Sequence, residues 1–233
     1  MSDIAYYSGF SINDEDDLIV FLANILNERH QRVYAKVKII SRNIEVTPDI
    51  DVLNITSSEN TIGYETKVIK YHKTNKRYIY QEIYKGIGQA LLYLNYGIDK
   101  AYLVMAYQNN YEIPLEKRQI LEKKINDVLN SVTGLGLSKY LGLDIIEIFP
   151  THLAYHNVLE IDDKMVIEKD SSKFAQGLKA GRRMIRLPES FHLCKQCLLS
   201  NQFSYSKLLS KKVIHYTKLK SPPHHNASDL FRT

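Results

Sequence analysis

One run of residues, Thr47 to Lys67 (TPDIDVLNITSSENTIGYETK), limits what this chain can fold into more than any other. IDVLNI is rich in β-branched residues, SSEN carries turn chemistry and TIGYETKVI is a second apolar run, so the stretch predicts a β-hairpin. Its charges stand in expensive places. Asp49 and Asp51 open the first strand, while Glu65 and Lys67 interrupt the second. Residues two apart on a strand share a face, so each pair projects together, and antiparallel pairing lets the two sets meet. Two or three carboxylates held close suit a hard divalent cation such as Mg²⁺, which takes oxygen ligands and keeps several waters. A lysine beside them can hold the attacking water or steady a developing negative charge.

Pro48-Asp49-Ile50-Asp51 followed by Glu65-Thr66-Lys67, with Asp51 fourteen positions before Glu65, resembles the motif of the PD-(D/E)XK nuclease superfamily. A helix expected from about Gln81 to Tyr96, ended near Gly97 as a usual C-cap residue, adds Gln89-Ala-Leu-Leu-Tyr93. That spacing is similar to the Q-x3-Y element of the recombination and CRISPR-associated exonuclease branch, and it puts Gln89 and Tyr93 on one helical face. Plain core packing explains Leu91, Leu92 and Leu94 of this helix but not the glutamine. The resemblance implies an α/β, restriction endonuclease-like fold, a mixed central sheet flanked by helices. It implies a Mg²⁺- or Mn²⁺-dependent deoxyribonuclease, with Asp51 and Glu65 as metal ligands, Lys67 beside them, and Gln89 and Tyr93 reaching the same pocket. Asp49, which follows the motif proline, is the rival or second ligand. Exonuclease, junction resolvase acting as a homodimer, and restriction-type enzyme all remain open, as does a DNA-binding protein that has kept the fold without the chemistry.

The charge distribution agrees with a nucleic-acid partner. From Ser171 onward there are 12 Lys/Arg against 2 Asp/Glu, whereas residues 1–170 hold 19 against 24. A basic segment joined to a carboxylate site is what a phosphate-backbone binder needs. Arg182, Arg183 and Arg186, with Lys211, Lys212, Tyr205 and Tyr216, form the expected C-terminal contact; Lys73 and Arg77, in the basic loop Tyr71 to Arg77, form another, with Tyr71 or Tyr78 as stacking faces. No apolar run approaches the roughly 20 residues of a membrane span, and the N-terminus lacks a signal-like pattern. An intracellular, cytoplasmic protein is expected. No phosphate loop, dinucleotide fingerprint, serine elbow or H-E-x-x-H helix occurs, so no nucleotide cofactor is expected.

Periodicity supplies the remaining elements. A helix is expected over Asn13 to Arg29, capped by Asn13, with Leu18, Phe21, Leu22, Ile25 and Leu26 as its apolar stripe. Its acidic first turn complements the helix dipole, and by resemblance Glu15 is the acid that reaches the site. Arg32 to Ile40 and Ala101 to Ala106 read as strands, Pro114 opens a further helix, and Leu143 to Phe149 reads as the last core strand, stopped by Pro150. The resulting order, α-β-β-β-α-β-α-β, places a nuclease-like core at residues 1–150 and a basic extension at 151–233. In that extension Cys194 and Cys197 have metal-ligand spacing, and His192 and His215 could complete a zinc site, but two idle thiols are the simpler reading.

Overall fold

The computed structural model describes residues 4–28, 32–41, 44–56, 60–161, 177–180 and 217–219. Its element order is β1 (Ile4–Ser8), α1 (Glu15–Glu28), β2 (Arg32–Ser41), β3 (Ile44–Ile55), β4 (Thr61–Ile69), β5 (Tyr71–His72), β6 (Arg77–Tyr78), α2 (Gln81–Asn95), β7 (Lys100–Gln108), α3 (Leu115–Gly134), β8 (Leu141–Ile148), β9 (Leu153–Leu159), β10 (Gly177–Ala180) and β11 (Thr217–Leu219). Seven strands form the central mixed sheet in the order β2-β3-β4-β7-β8-β9-β1; β10 is hydrogen-bonded to the outer edge of β2 and β11 to that of β1. The meander β2-β3-β4 is antiparallel. Two crossovers, through α2 and then α3, make β4, β7 and β8 parallel. This is an α/β architecture with helices on both faces.

Each face has its own core. Leu18, Phe21, Leu22 and Ile25 of α1 pack with Val33, Val52, Tyr64 and Val104 of the sheet. On the other face Ile83, Ala90 and Tyr93 of α2 and Leu121, Ile125 and Val128 of α3 pack with Leu53, Leu103 and Met105. The two sets come from alternate positions of the same strands, as the pleat requires. The α1 stripe is the one expected, but its cap is not. Asp14 Oδ1 accepts from the Asp17 backbone N–H at 2.9 Å, and Asp17 Oδ2 in turn accepts from the Asn13 backbone N–H at 3.0 Å. Asp14 is therefore the N-cap and Asn13 stands just outside the helix. The Gly97 expectation holds: with φ 92° it takes the left-handed position after α2, its N–H bonded to the Leu94 carbonyl at 3.1 Å.

The sheet does not stop at Pro150. β9 lies beyond it, antiparallel to both β8 and β1, so Leu143 to Phe149 is not the last core strand. The stretch Tyr71 to Arg77, read as a loop, is the two-stranded ribbon β5-β6 with a left-handed Lys76 (φ 47°) in its turn. Apart from residues 151–161, which include β9, and the short strands at 177–180 and 217–219, the basic C-terminal extension lies outside the described residues. That includes Arg182, Arg183, Arg186, Cys194, Cys197, His192 and His215. Among the described residues no helix is long and apolar enough to cross a membrane.

Candidate functional site

The site lies where β3 and β4 part. Their ladder runs from Ile55 opposite Thr61 to Val52 opposite Tyr64. One step further, the Asp51 carboxylate takes over from the backbone: Asp51 Oδ2 accepts from both the Thr66 N–H and the Thr66 hydroxyl, each at 2.9 Å. A backbone donor that the diverging strands would leave buried and unpaired is thereby satisfied. The other carboxylate oxygen, Oδ1, accepts from Lys36 Nζ at 2.8 Å. Beyond this point β2 and β3 fall out of register, two residues of β2 spanning four of β3 between the pairs Val37–Ile50 and Ile39–Val46. Pro48, which has no N–H to give a ladder, sits in that irregular stretch.

Glu65 follows on the neighbouring strand and points into the core beneath α2. Its backbone partner across the parallel pair is Leu103. Lys67 Nζ donates to Glu65 Oε1 at 2.6 Å and lies 3.7 Å from Glu15 Oε1, which the first turn of α1 brings in from the opposite face. Tyr93 of α2 donates its hydroxyl to Glu65 Oε2 and also meets the Asp49 backbone carbonyl, at 2.9 Å. Close approach of the helix depends on Gly86. A Cβ there would stand 3.0 Å from Lys67 Cγ and 2.6 Å from Leu103 Cδ1. One turn before Tyr93, Gln89 carries a buried Oε1 to which nothing among the described residues donates.

Burial sets the electrostatics. Glu65 is 1% exposed, and this desolvation, reinforced by the charge of Asp51, pushes its pKa up to about 7 against the opposing pull of Lys67 and the Tyr93 hydrogen bond. Burial alone would pull Lys67 down. Glu65, with Glu15 and Asp51 behind it, outweighs that and raises its pKa, so the ammonium stays charged. Burial, together with the charges of Glu65 and Asp51, also drives the Tyr93 phenol upward; it remains a donor throughout the working range. When all are ionised, Glu15, Asp51 and Glu65 against Lys36 and Lys67 leave one net negative charge in a largely dry site.

The structure thus brings together Glu15, Asp51, Glu65, Lys67 and Tyr93, with Gln89 a helical turn away. Asp49 enters through its carbonyl, and its carboxylate has no partner among the described residues. Tyr78 is not a stacking face. It is 1% exposed, its ring meets Tyr71 edge-on at 5.2 Å and its hydroxyl donates to the Gln108 carbonyl at 2.8 Å. Lys73 and Arg77 are exposed on the ribbon, Lys73 paired with Glu112 at 3.2 Å. Two site residues carry no signal in the motif: Thr66, which reads as a spacer between Glu65 and Lys67, and Lys36, one of many lysines in the chain.

Asp51 and Glu65 are two buried carboxylates on adjacent strands, the second with a pKa raised by burial and by the charge of the first, and carboxylate oxygens are the donor type that hard dications take. Among the described residues no third His, Cys, Asp or Glu joins them as a ready ligand cluster. Comparison of the chain with protein-family models, with curated proteins and with solved structures returns no match.

Proposed function

We propose that this protein is a divalent-cation-dependent deoxyribonuclease with a restriction endonuclease-like core. The observation that carries the reading is the convergence of Asp51, Glu65 and Lys67, all nearly buried, at the point where two core strands part. Ion pairs this deep are costly to build and no more stabilising than apolar packing would be, so their retention favours a chemical role. A Mg²⁺ or Mn²⁺ ion, held by Asp51 and Glu65, would supply Lewis-acid activation of a water and neutralise charge at the phosphate. Thr66 holds the Asp51 carboxylate and Tyr93 holds that of Glu65, so neither has to be ordered when substrate arrives. Lys67 places a positive charge where the attacking water and the charge building on the phosphoryl oxygens need it. The unsatisfied Gln89 Oε1 offers an acceptor to a nucleotide or an ordered water.

A second reading is favoured by one feature. All four carboxylate oxygens of Asp51 and Glu65 already have protein donors, as in a structural ion-pair network, and a DNA-binding module that has lost catalysis would look the same. The test is incubation with linear, single-stranded, circular and four-way-junction DNA in Mn²⁺ or EDTA. Cleavage that needs Mn²⁺ and falls about 10²-fold or more in Glu65→Gln upholds the nuclease. DNA binding without a product on any substrate upholds the module.

A further inference from the structure

We propose that Lys36 is a displaceable internal counter-ion: its ammonium holds Asp51 Oδ1 until a dication takes that oxygen, and is then released to contact a backbone phosphate of the bound DNA. The inference rests on the nuclease reading above. Asp51 Oδ2 spends both lone pairs on the two Thr66 donors, so Oδ1 is the end of the carboxylate that a cation can reach. Lys36 Nζ already sits on it at 2.8 Å. A dication bound to the same oxygen would face that ammonium at close range, and two like charges cannot share the site.

Of the two site lysines, Lys36 is the one able to leave. The Lys67 side chain is 5% exposed, clamped between Glu65 and the backbone of α2 at Gly86, whereas that of Lys36 is 29% exposed and approaches from the solvent side. The backbone points the same way. Lys36 has φ 52°, a left-handed conformation that glycine adopts without strain and lysine does not. The twist shifts the phase of β2, so that Tyr34 and Val37, three residues apart, both enter the core beneath α2. Glycine would serve that purpose better, so the side chain at this position has a use of its own. An ammonium leaving Asp51 stays on a tether beside the site, where a charge-assisted hydrogen bond to a phosphate oxygen replaces the one it gave up.

The test is calorimetric titration with Mn²⁺ in the absence of DNA. Lys36→Met should bind about two- to fivefold more tightly than wild type, the bias that a partly exposed ion pair exerts. Lys36→Gly, which suits the left-handed backbone and guards against a folding defect, should do the same. Lys36→Arg should match wild type, and Asp51→Asn should lose binding. Unchanged or weaker binding in both Lys36→Met and Lys36→Gly, still abolished by Asp51→Asn, overturns the counter-ion role and leaves the metal site standing. No Mn²⁺ binding by any of these proteins overturns both. Release is read separately by mass spectrometry of acylated protein. Labelling of Lys36 should rise when Mn²⁺ is added, and a constant level refutes its displacement.

Discussion

Tyr93→Phe removes one oxygen atom from the site and separates charge from packing. The ring is fully buried and phenylalanine keeps its shape, so the change leaves no large cavity. What goes is a donor shared by Glu65 Oε2 and the Asp49 carbonyl. A hydrogen bond to an ionised group contributes roughly 1.5–3 kcal/mol and one to a neutral partner about 1 kcal/mol. Glu65, with its pKa near 7, is ionised at pH 8.5 and protonated at pH 5.5. The substitution should therefore destabilise the protein by about 2–4 kcal/mol at pH 8.5 and by about 1–2 kcal/mol at pH 5.5. Urea unfolding followed by circular dichroism at the two pH values, with the slope m checked for constancy, gives both numbers. Because the Tyr93 hydrogen bond lowers the Glu65 pKa, its loss also moves the carboxyl further up, which steepens the fall in stability with pH. Equal losses at the two pH values, or a loss below about 0.5 kcal/mol at pH 8.5, would refute the geometry whether or not the protein cuts DNA.

Glu65→Gln should reshape the pH dependence itself. A carboxyl with an ordinary pKa of 4.5 that rises to about 7 on folding favours the fold fully below pH 4.5 and loses that advantage as pH climbs through 7. Between pH 5 and pH 8 the stability difference between variant and wild type should move by roughly 2–3 kcal/mol in favour of the glutamine, measured by the same unfolding curves; a difference independent of pH refutes it. On the ribbon, changing Lys73, Lys76 and Arg77 to Gln should weaken duplex DNA binding and cut the slope of log K against log salt by about 2–3, as expected for up to three lost phosphate contacts. If the slope is unchanged there and falls instead in an Arg182, Arg183 and Arg186 triple variant, the DNA path runs along the C-terminal segment.

Much of the fold was legible because its elements announce themselves locally. The stripe of α1, the proline that opens α3, the glycine that closes α2 and the continuous apolar run of β7 each needed only neighbouring residues to be read. What escaped was the far edge of the sheet. β1 is five residues long and its partner β9 lies about 150 positions away, Ile4 opposite His156, so no local sequence window holds both, although β9 itself pairs with the neighbouring β8. Capping went astray by one residue because Asn13, Asp14, Glu15, Asp16 and Asp17 offer several capable oxygens in a row. Only the reciprocal Asp14–Asp17 and Asp17–Asn13 bonds choose among them.

The site divides along the same physical line. Asp51, Glu65 and Lys67 stood out because charges are costly in apolar strands, and Tyr93 because a spacing of four puts it on the face of Gln89. Nothing comparable marks Lys36. It lies in RVYAKVKII, where an alternating strand ordinarily turns such lysines to solvent, and only the left-handed backbone and the register with Asp51 turn this one inward. Thr66 is hidden for the opposite reason: threonine is so ordinary in a strand that its hydroxyl attracts no notice, yet with its own N–H it fills one whole oxygen of Asp51. Residues that break a local rule can be found from sequence, whereas residues that satisfy the rule-breakers can be found only in space. A carboxylate buried in a strand is therefore a reason to look for two further groups, the donor that fixes it and the cation that balances it, on the strands to either side.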